Sequence, residues 1–200
     1  MTHKYLDLAS TPAVRAAQRH YYGGSPELGD APERDSLGDD EREFLSTRDS
    51  VYLGSVSETG WPYIQHRGGK PGFLQVLDEH TLGFADFKGN RQLVSAGNLA
   101  HNPRVALFAM DYPQRARLKV WGHARVFDAR EHPEWLARLA HPDEHARIER
   151  LFVIDVVAFD WNCPAYITPR YTRAPIAHAT APLEQRIADL EAQLAAARAR

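Results

Sequence analysis

The chain has 200 residues, 44% of them apolar, and a formal charge of -2. That is enough apolar material for a sizeable core, and too little net charge to draw the chain to nucleic acid or an anionic membrane. A single cysteine, Cys163, excludes an internal disulfide, and no run approaches the ~20 apolar residues of a membrane span. The opening M-T-H-K-Y-L-D-L-A-S carries no apolar leader core, so the expectation is a cytoplasmic protein.

Residues 1–40 read as a peripheral arm. Ser10-Thr11-Pro12 is a helix start, and the helix should cover Ala13 to Tyr21 and stop at Gly23-Gly24. Residues 25–38, rich in Pro, Gly, Asp and Glu, read as an exposed loop. A short helix follows from Asp39 to Thr47, with Phe44 and Leu45 inward.

The pattern then turns to period two. Val51–Val56 and Trp61–Arg67 form strands around a Glu58-Thr59-Gly60 turn. Phe73–Leu77 and Thr81–Asp86 form a second hairpin, and Lys88-Gly89-Asn90 should open a helix running to about Ala100. Pro103–Met110 and Arg117–Val126 are strands, Glu131–Ala140 and Asp143–Arg150 helices, and Leu151–Trp161 a last strand. Six or seven strands joined by short hairpins predict an antiparallel sheet closed or nearly closed into a barrel, spanning residues 41–174.

Residues 175–200 read as an Ala/Pro/His linker to Pro182, then an amphipathic helix. Leu183, Ile187, Leu190, Leu194 and Ala197 are spaced alternately four and three apart, a heptad seam. Two heptads are marginal for an independent coiled coil; a helix docked on the body, or a frayed terminus, is the alternative reading.

The chemistry gathers between Ser55 and Trp121. Lys88-Gly89-Asn90-Arg91-Gln92 joins a strand to a helix, where free N–H groups and the helix dipole suit a phosphate. Arg91 adds a charge-assisted contact, with Asn90 and Gln92 beside it. The alternative is a capped helix with solvated Lys and Arg. Strand alternation puts Gln65 and Arg67 on one face, Ile64 and His66 on the other. Other signals carry less. His141 and His145 have helical metal spacing, but Pro142 intervenes and no third ligand follows, so no metal site is expected. Gly54-Ser55-Val56-Ser57 is not a nucleophile elbow, and neither a P-loop nor G-x-G-x-x-G occurs.

Three blocks in order, S-E-T-G-W-P-Y-I-Q-H-R-G-G, L-G-F-A-D-F-K-G-N-R-Q and D-Y-P-Q-R-A-R-L-K-V-W-G, resemble the FMN-binding split-barrel family typified by pyridoxamine 5'-phosphate oxidase. The resemblance runs from about Glu41 to Thr172. It implies a mainly β protein, an antiparallel split β-barrel of FMN-binding type with peripheral helices and a C-terminal helix. It further implies FMN as cofactor, a homodimer with the flavin in the groove between subunits, and hydride exchange between a small-molecule substrate and flavin N5.

Carried over by position, Arg91 holds the phosphate, and Gln65, His66 and Arg67 reach the ring or phosphate. Ala85 and Asp86 contact the flavin through backbone groups, and Asn98 and Ser95 are weaker candidates. Arg117-Leu118-Lys119-Val120-Trp121-Gly122 resembles the family strand Q-x-R-x-x-G, with Lys119 at the Arg position near the flavin N1–C2 carbonyl. Trp161 and Arg170 lie nine residues apart, about the spacing of a Trp–Arg pair that in the family lines the flavin from the second subunit, although the motif W-N-C-P-A-Y-I-T-P-R departs from the family's. His66 and Lys119 are the first candidates for a catalytic role. The R-L-H-D-R-type segment that binds pyridoxal phosphate has no counterpart, so oxidation of pyridoxamine phosphate is not implied. F420, haem with His66 as axial ligand, a non-catalytic flavin-binding or sensing module, and a ligand-free scaffold remain the alternative readings.

Overall fold

The computed structural model describes residues 3–161 and 163–199. Its elements in chain order are α1 (Lys4–Ala9), α2 (Pro12–Tyr22), α3 (Asp39–Ser46), β1 (Ser50–Val56), β2 (Pro62–Gly68), β3 (Gln75–Val76), β4 (Thr81–Phe87) and α4 (Val94–His101). They continue with β5 (Arg104–Asp111), β6 (Ala116–Asp128), α5 (Pro133–Leu139), a 3-10 turn at Pro142–Arg147, β7 (Ile148–Trp161) and α6 (Arg173–Arg198).

The strands form one antiparallel sheet in the order β2-β1-β5-β6-β7-β4-β3. Alternation decides which way each side chain points. In β1, Val51, Leu53 and Ser55 are buried while Tyr52 is exposed. Leu53, Phe84, Leu118, Phe152 and Ile154 are fully buried, each contributing roughly 1.5–3 kcal/mol of apolar transfer. Phe84 and Phe152 stack inside the barrel with ring centroids 4.8 Å apart. On the other face of β4 and β7, Leu139 of α5 packs with Ile148, Leu151 and Val153 as a second cluster.

Two bulges bend the sheet. At Trp121/Gly122 the β6–β7 register slips, and a Cβ on Gly122 would lie 2.5 Å from the Asp155 carbonyl oxygen, so only glycine fits. At Asp86/Phe87 the β4–β7 register slips as well: Asp86 stands opposite Arg150 and Phe87 opposite Ile148. Backbone pairing leaves β2 and β3 as the two edges. The curled sheet nevertheless brings β2 against β4 through side chains, and the fold is an antiparallel split β-barrel with a C-terminal helix.

Several expectations are corrected. The helix expected from Lys88 begins only at Val94, because Arg91 (φ 64) and Leu93 (φ 55) are left-handed and no helix passes through such residues. The strand expected over Phe73–Leu77 shrinks to Gln75–Val76. The helix expected over 143–150 is a 3-10 turn that ends at Arg147, and β7 starts at Ile148. The segment read as a linker, 175–182, is helical, with Pro182 inside α6. Lys4–Ala9 is a helix that the apolar spacing did not announce.

The loop 25–38, read as exposed, buries Asp35 and Leu37. Asp35 accepts the backbone N–H of Lys4 at 2.8 Å, Tyr5 at 3.3 Å and Phe159 at 3.1 Å. One carboxylate thus fastens the N-terminal arm to the C-terminal end of β7.

Candidate functional site

A cavity of about 190 Å³ opens where β2, β4 and β7 meet the loop 88–93 and the first turn of α4. Strand alternation sends Tyr63, Gln65 and Arg67 of β2 toward it, and leaves Ile64 and His66 on the exposed side. The Tyr63 hydroxyl donates to Gln65 Oε1, which fixes the amide in the cavity wall.

Asp86 lies at the floor and is almost fully buried, at 7% exposure. Arg67 Nη1 donates to its Oδ1 at 2.5 Å and Arg150 Nε to its Oδ2 at 2.9 Å. Arg150 is aimed there because the regular β4–β7 register, which runs unbroken from Thr81 to Asp86, sets it directly across from Asp86. It also donates to Glu149 at 2.9 Å. The Arg67 guanidinium lies over the Phe152 ring, 5.1 Å from its centroid.

The cavity is short of anions. Its charged lining is Arg67, Arg91 and Arg150 against Asp86, three positive charges against one negative, leaving +2. Two of its buried polar atoms, Arg67 Nε and Ser95 Oγ, make no hydrogen bond. Ser95 is 3% exposed, in the first turn of α4. Buried polar groups are rarely left unpaired, so such a pair marks a place for a ligand acceptor.

The helix start reinforces this. Leu93 is the N-cap of α4 and supplies no side-chain hydrogen bond. The leading N–H groups of a helix have no intrahelical partner, and those of Val94, Ser95 and Ala96 belong to residues that line the cavity. The loop before them is held tight: Gln92 N–H donates to Asn90 Oδ1 at 3.1 Å and Lys88 N–H to the Arg147 carbonyl at 2.9 Å. Free N–H groups, a helix dipole and arginines around a buried floor form a receptor for a phosphate-like anion.

Of the residues singled out from the sequence, Gln65, Arg67, Asp86, Asn90, Arg91 and Gln92 come together here. The others lie elsewhere. His66 does not line this cavity: it borders an adjoining pocket together with Arg67, Ala85 and Asp86, with its ring 5.8 Å from that of Tyr52. Ala85 lines the neighbouring depression beside Gly69, Phe73 and Leu139. Asn98 is buried and donates to Ser55 Oγ at 3.0 Å, tying α4 to β1. Lys119 Nζ pairs with Asp160 at 2.8 Å and lies 4.4 Å from the Tyr5 ring centroid. Trp161 Nε1 donates to the buried Glu41 at 2.6 Å, and Arg170 lies over Tyr112 at 4.8 Å.

Sequence reasoning missed Arg150. Placed in an expected helix, it had no reason to face Asp86; pairing Thr81–Phe87 with a strand beginning at Ile148 would have found it. Ser95 is only a weaker candidate while the helix is taken to start at Lys88. With the helix start moved to Val94, it falls in the first turn instead.

The fold is a split barrel with a basic cavity where β2, β4, β7 and α4 meet. The sequence profile described as Pyridoxamine 5'-phosphate oxidase matches residues 37–160, more than half of the chain, and the chain belongs to that family. No match is found among curated proteins.

Among solved structures, the chain is similar to a candidate pyridoxamine 5'-phosphate oxidase from Lactobacillus delbrueckii. Identity is 22%, the TM-score 0.48, and the match covers 62% of this chain and 93% of that one. It is similar to an FMN-binding protein from Syntrophomonas wolfei, at 14% identity and TM-score 0.47, over 61% of this chain and 83% of that one. It is also similar to an F420 reductase, at 18% identity and TM-score 0.44, over 62% of this chain and 98% of that one.

Proposed function

We propose that the chain is an FMN-dependent oxidoreductase acting on a small-molecule substrate as a homodimer. One observation carries the reading: two residues with a buried, unpartnered polar atom, Ser95 (Oγ) and Arg67 (Nε), line a cavity with a +2 lining at an uncapped helix start. A phosphate monoester, carrying close to two negative charges at neutral pH, balances that lining.

The residues present fit the phosphate end of the cofactor. Ser95, Arg67, Arg91 and Arg150 hold the phosphate, with the N–H groups of Val94 to Ala96 beneath it. Gln65, oriented by Tyr63, stands at the mouth as an amide donor and acceptor for the polar chain beyond the phosphate. About 190 Å³ is less than the ~300–1,000 Å³ of a complete ligand pocket. The cavity would therefore take the phosphate end, and the flat ring system would need further walls, which a second copy would supply. The outward face of the sheet near β2 supports that arrangement, with Tyr52, Trp61 and Ile64 exposed side by side.

A bound flavin supplies the hydride acceptor or donor. The chain binds it, orients it and keeps one ring face open to substrate. His66 points away from the cavity, which does not favour a group held there with His66 as its axial ligand.

The test is an absorbance spectrum of the purified protein, then fluorescence titration with FMN and with riboflavin. FMN should bind well and riboflavin at least about tenfold more weakly, and Arg91→Ala should bring the two together. A protein that ignores FMN overturns the cofactor assignment. One that binds FMN but never turns over with any reduced nicotinamide or oxidant pair is a binding module instead of an enzyme.

A further inference from the structure

The helix α6 runs 26 residues, about 39 Å, and buries none of them. Leu183 is 65% exposed, Ile187 57%, Leu190 47% and Leu194 51%. They share one face, completed by Ala197, at spacings of four, three, four and three. Of the three readings of this segment, these exposures remove docking on the body, and the continuous helix Arg173–Arg198 removes the frayed terminus. A soluble chain does not leave four large aliphatic side chains aligned in water without a partner for them.

We propose that residues 183–197 form a parallel, in-register pair with the same helix of a second copy of this chain. The heptad positions follow from the spacing: Leu183, Leu190 and Ala197 at d, Ile187 and Leu194 at a. A β-branched residue at a with leucines at d is the combination that favours two strands.

The flanking charges select the orientation. Glu184 and Glu191 occupy e positions and Arg186 and Gln193 g positions. In a parallel pair, each g side chain meets the e side chain five residues on in the partner. Arg186 then faces Glu191 of the partner subunit, twice by symmetry, and no like charges meet. In the antiparallel pair that overlaps the whole seam, Glu184 faces Glu191 of the partner subunit, again twice, and that repulsion disfavours it. Pro182 falls at position c, outside the seam, where its missing N–H and ring do not disturb the contact.

Two heptads bind weakly on their own. Joined to a body that also meets its copy, they need supply only an intramolecular contact at a high effective concentration. The pairing does not depend on the flavin reading: it uses no residue of the cavity and stands or falls without a cofactor.

Cross-linking of the full chain tests it. Cys163, exposed and the sole cysteine, is first replaced by serine. In that background, Leu190→Cys at d should form a disulfide-linked dimer under mild oxidation, since facing d positions bring Cα atoms near the about 5.5–6 Å that a disulfide needs. Ala192→Cys, on the outer side of the same helix turn, should cross-link at least about tenfold less. As a check that does not rely on a thiol at 190, Leu183→Cys should cross-link well, and adding Leu190→Asp should abolish it. Equal cross-linking at 190 and 192, none at 190, or indifference of the 183 link to Leu190→Asp overturns the pairing. A mixture of Ile187→Cys and Leu190→Cys chains that links only across the two variants overturns the parallel register.

Discussion

Arg67 on β2 donates to Asp86 on β4 at 2.5 Å, although four strands separate the two in the hydrogen-bonded order. The barrel is therefore closed at this point by an ion pair between side chains, and the same pair forms the floor of the candidate site. Stability and ligand binding meet in one carboxylate. Asp86→Asn leaves two arginines without their buried anion, which should cost roughly 3 kcal/mol. The same change raises the cavity lining from +2 to +3. The melting temperature of the variant should fall by about 6–12 °C without ligand, and millimolar phosphate or FMN should restore more of it than in the parent. A variant that loses stability and gains nothing from phosphate would show that the anion receptor is not there.

Arg150 separates phosphate from ring. Its guanidinium reaches Asp86 at 2.9 Å, and among the cavity residues it comes from the strand opposite β4. Arg150→Ala drops the lining to +1 and removes a charged donor, a change worth roughly 1.5–3 kcal/mol where the bond is made to an anion. FMN affinity should fall about tenfold or more while riboflavin affinity barely moves. Titrating both ligands against both proteins reads this directly; an equal loss for the two would assign Arg150 to the architecture alone.

The sequence carried the barrel because alternation is local. Tyr63, Gln65 and Arg67 fall on one face and Ile64 and His66 on the other by counting in twos, and the structure keeps that division. It carried the helix α2 through Thr11, Pro12 and Gly23, whose capping chemistry is also local. What it hid depends on backbone conformation or on distant chain. The left-handed Arg91 and Leu93 delay α4 by six residues relative to the expected start at Lys88, and nothing in their side chains declares a positive φ. Arg150 and Asp86 are 64 residues apart and meet only once β4 and β7 are paired in register. Asp35 reads as one more acid in a polar loop until Phe159, 124 residues on, offers its N–H.

Asp35 is the cheapest place to detach the arm. Its carboxylate takes three backbone N–H groups, and replacing it with alanine strands donors that α1 and β7 do not satisfy otherwise. Asp35→Ala should lose roughly 2–4 kcal/mol in a urea melt. Amide exchange at Tyr5 and Phe159 should speed up ahead of the core amides of Leu118 and Ile154. Asp35→Asn, which keeps one acceptor oxygen, should lose about half as much. Uniform acceleration across all four amides would mean that the arm and the barrel unfold together.

Ser95 gives the sharpest sign test. Its hydroxyl is buried and makes no hydrogen bond, and the residue lines the cavity from the first turn of α4. In the ligand-free protein an unpaired buried hydroxyl is a cost, because its hydration is lost and nothing replaces it. Ser95→Ala removes that cost together with the group, so the ligand-free protein should be unchanged or more stable by about 0.5–1 kcal/mol. With a phosphate in the cavity the balance reverses: the hydroxyl has an anionic acceptor, and its loss should weaken FMN roughly five- to tenfold. Apparent stability in excess FMN should therefore fall while stability without FMN holds or rises. A purely structural serine cannot produce that crossing, since it would shift both melts in the same direction. Thermal melts of the two proteins, each with and without FMN, place Ser95 on one side or the other.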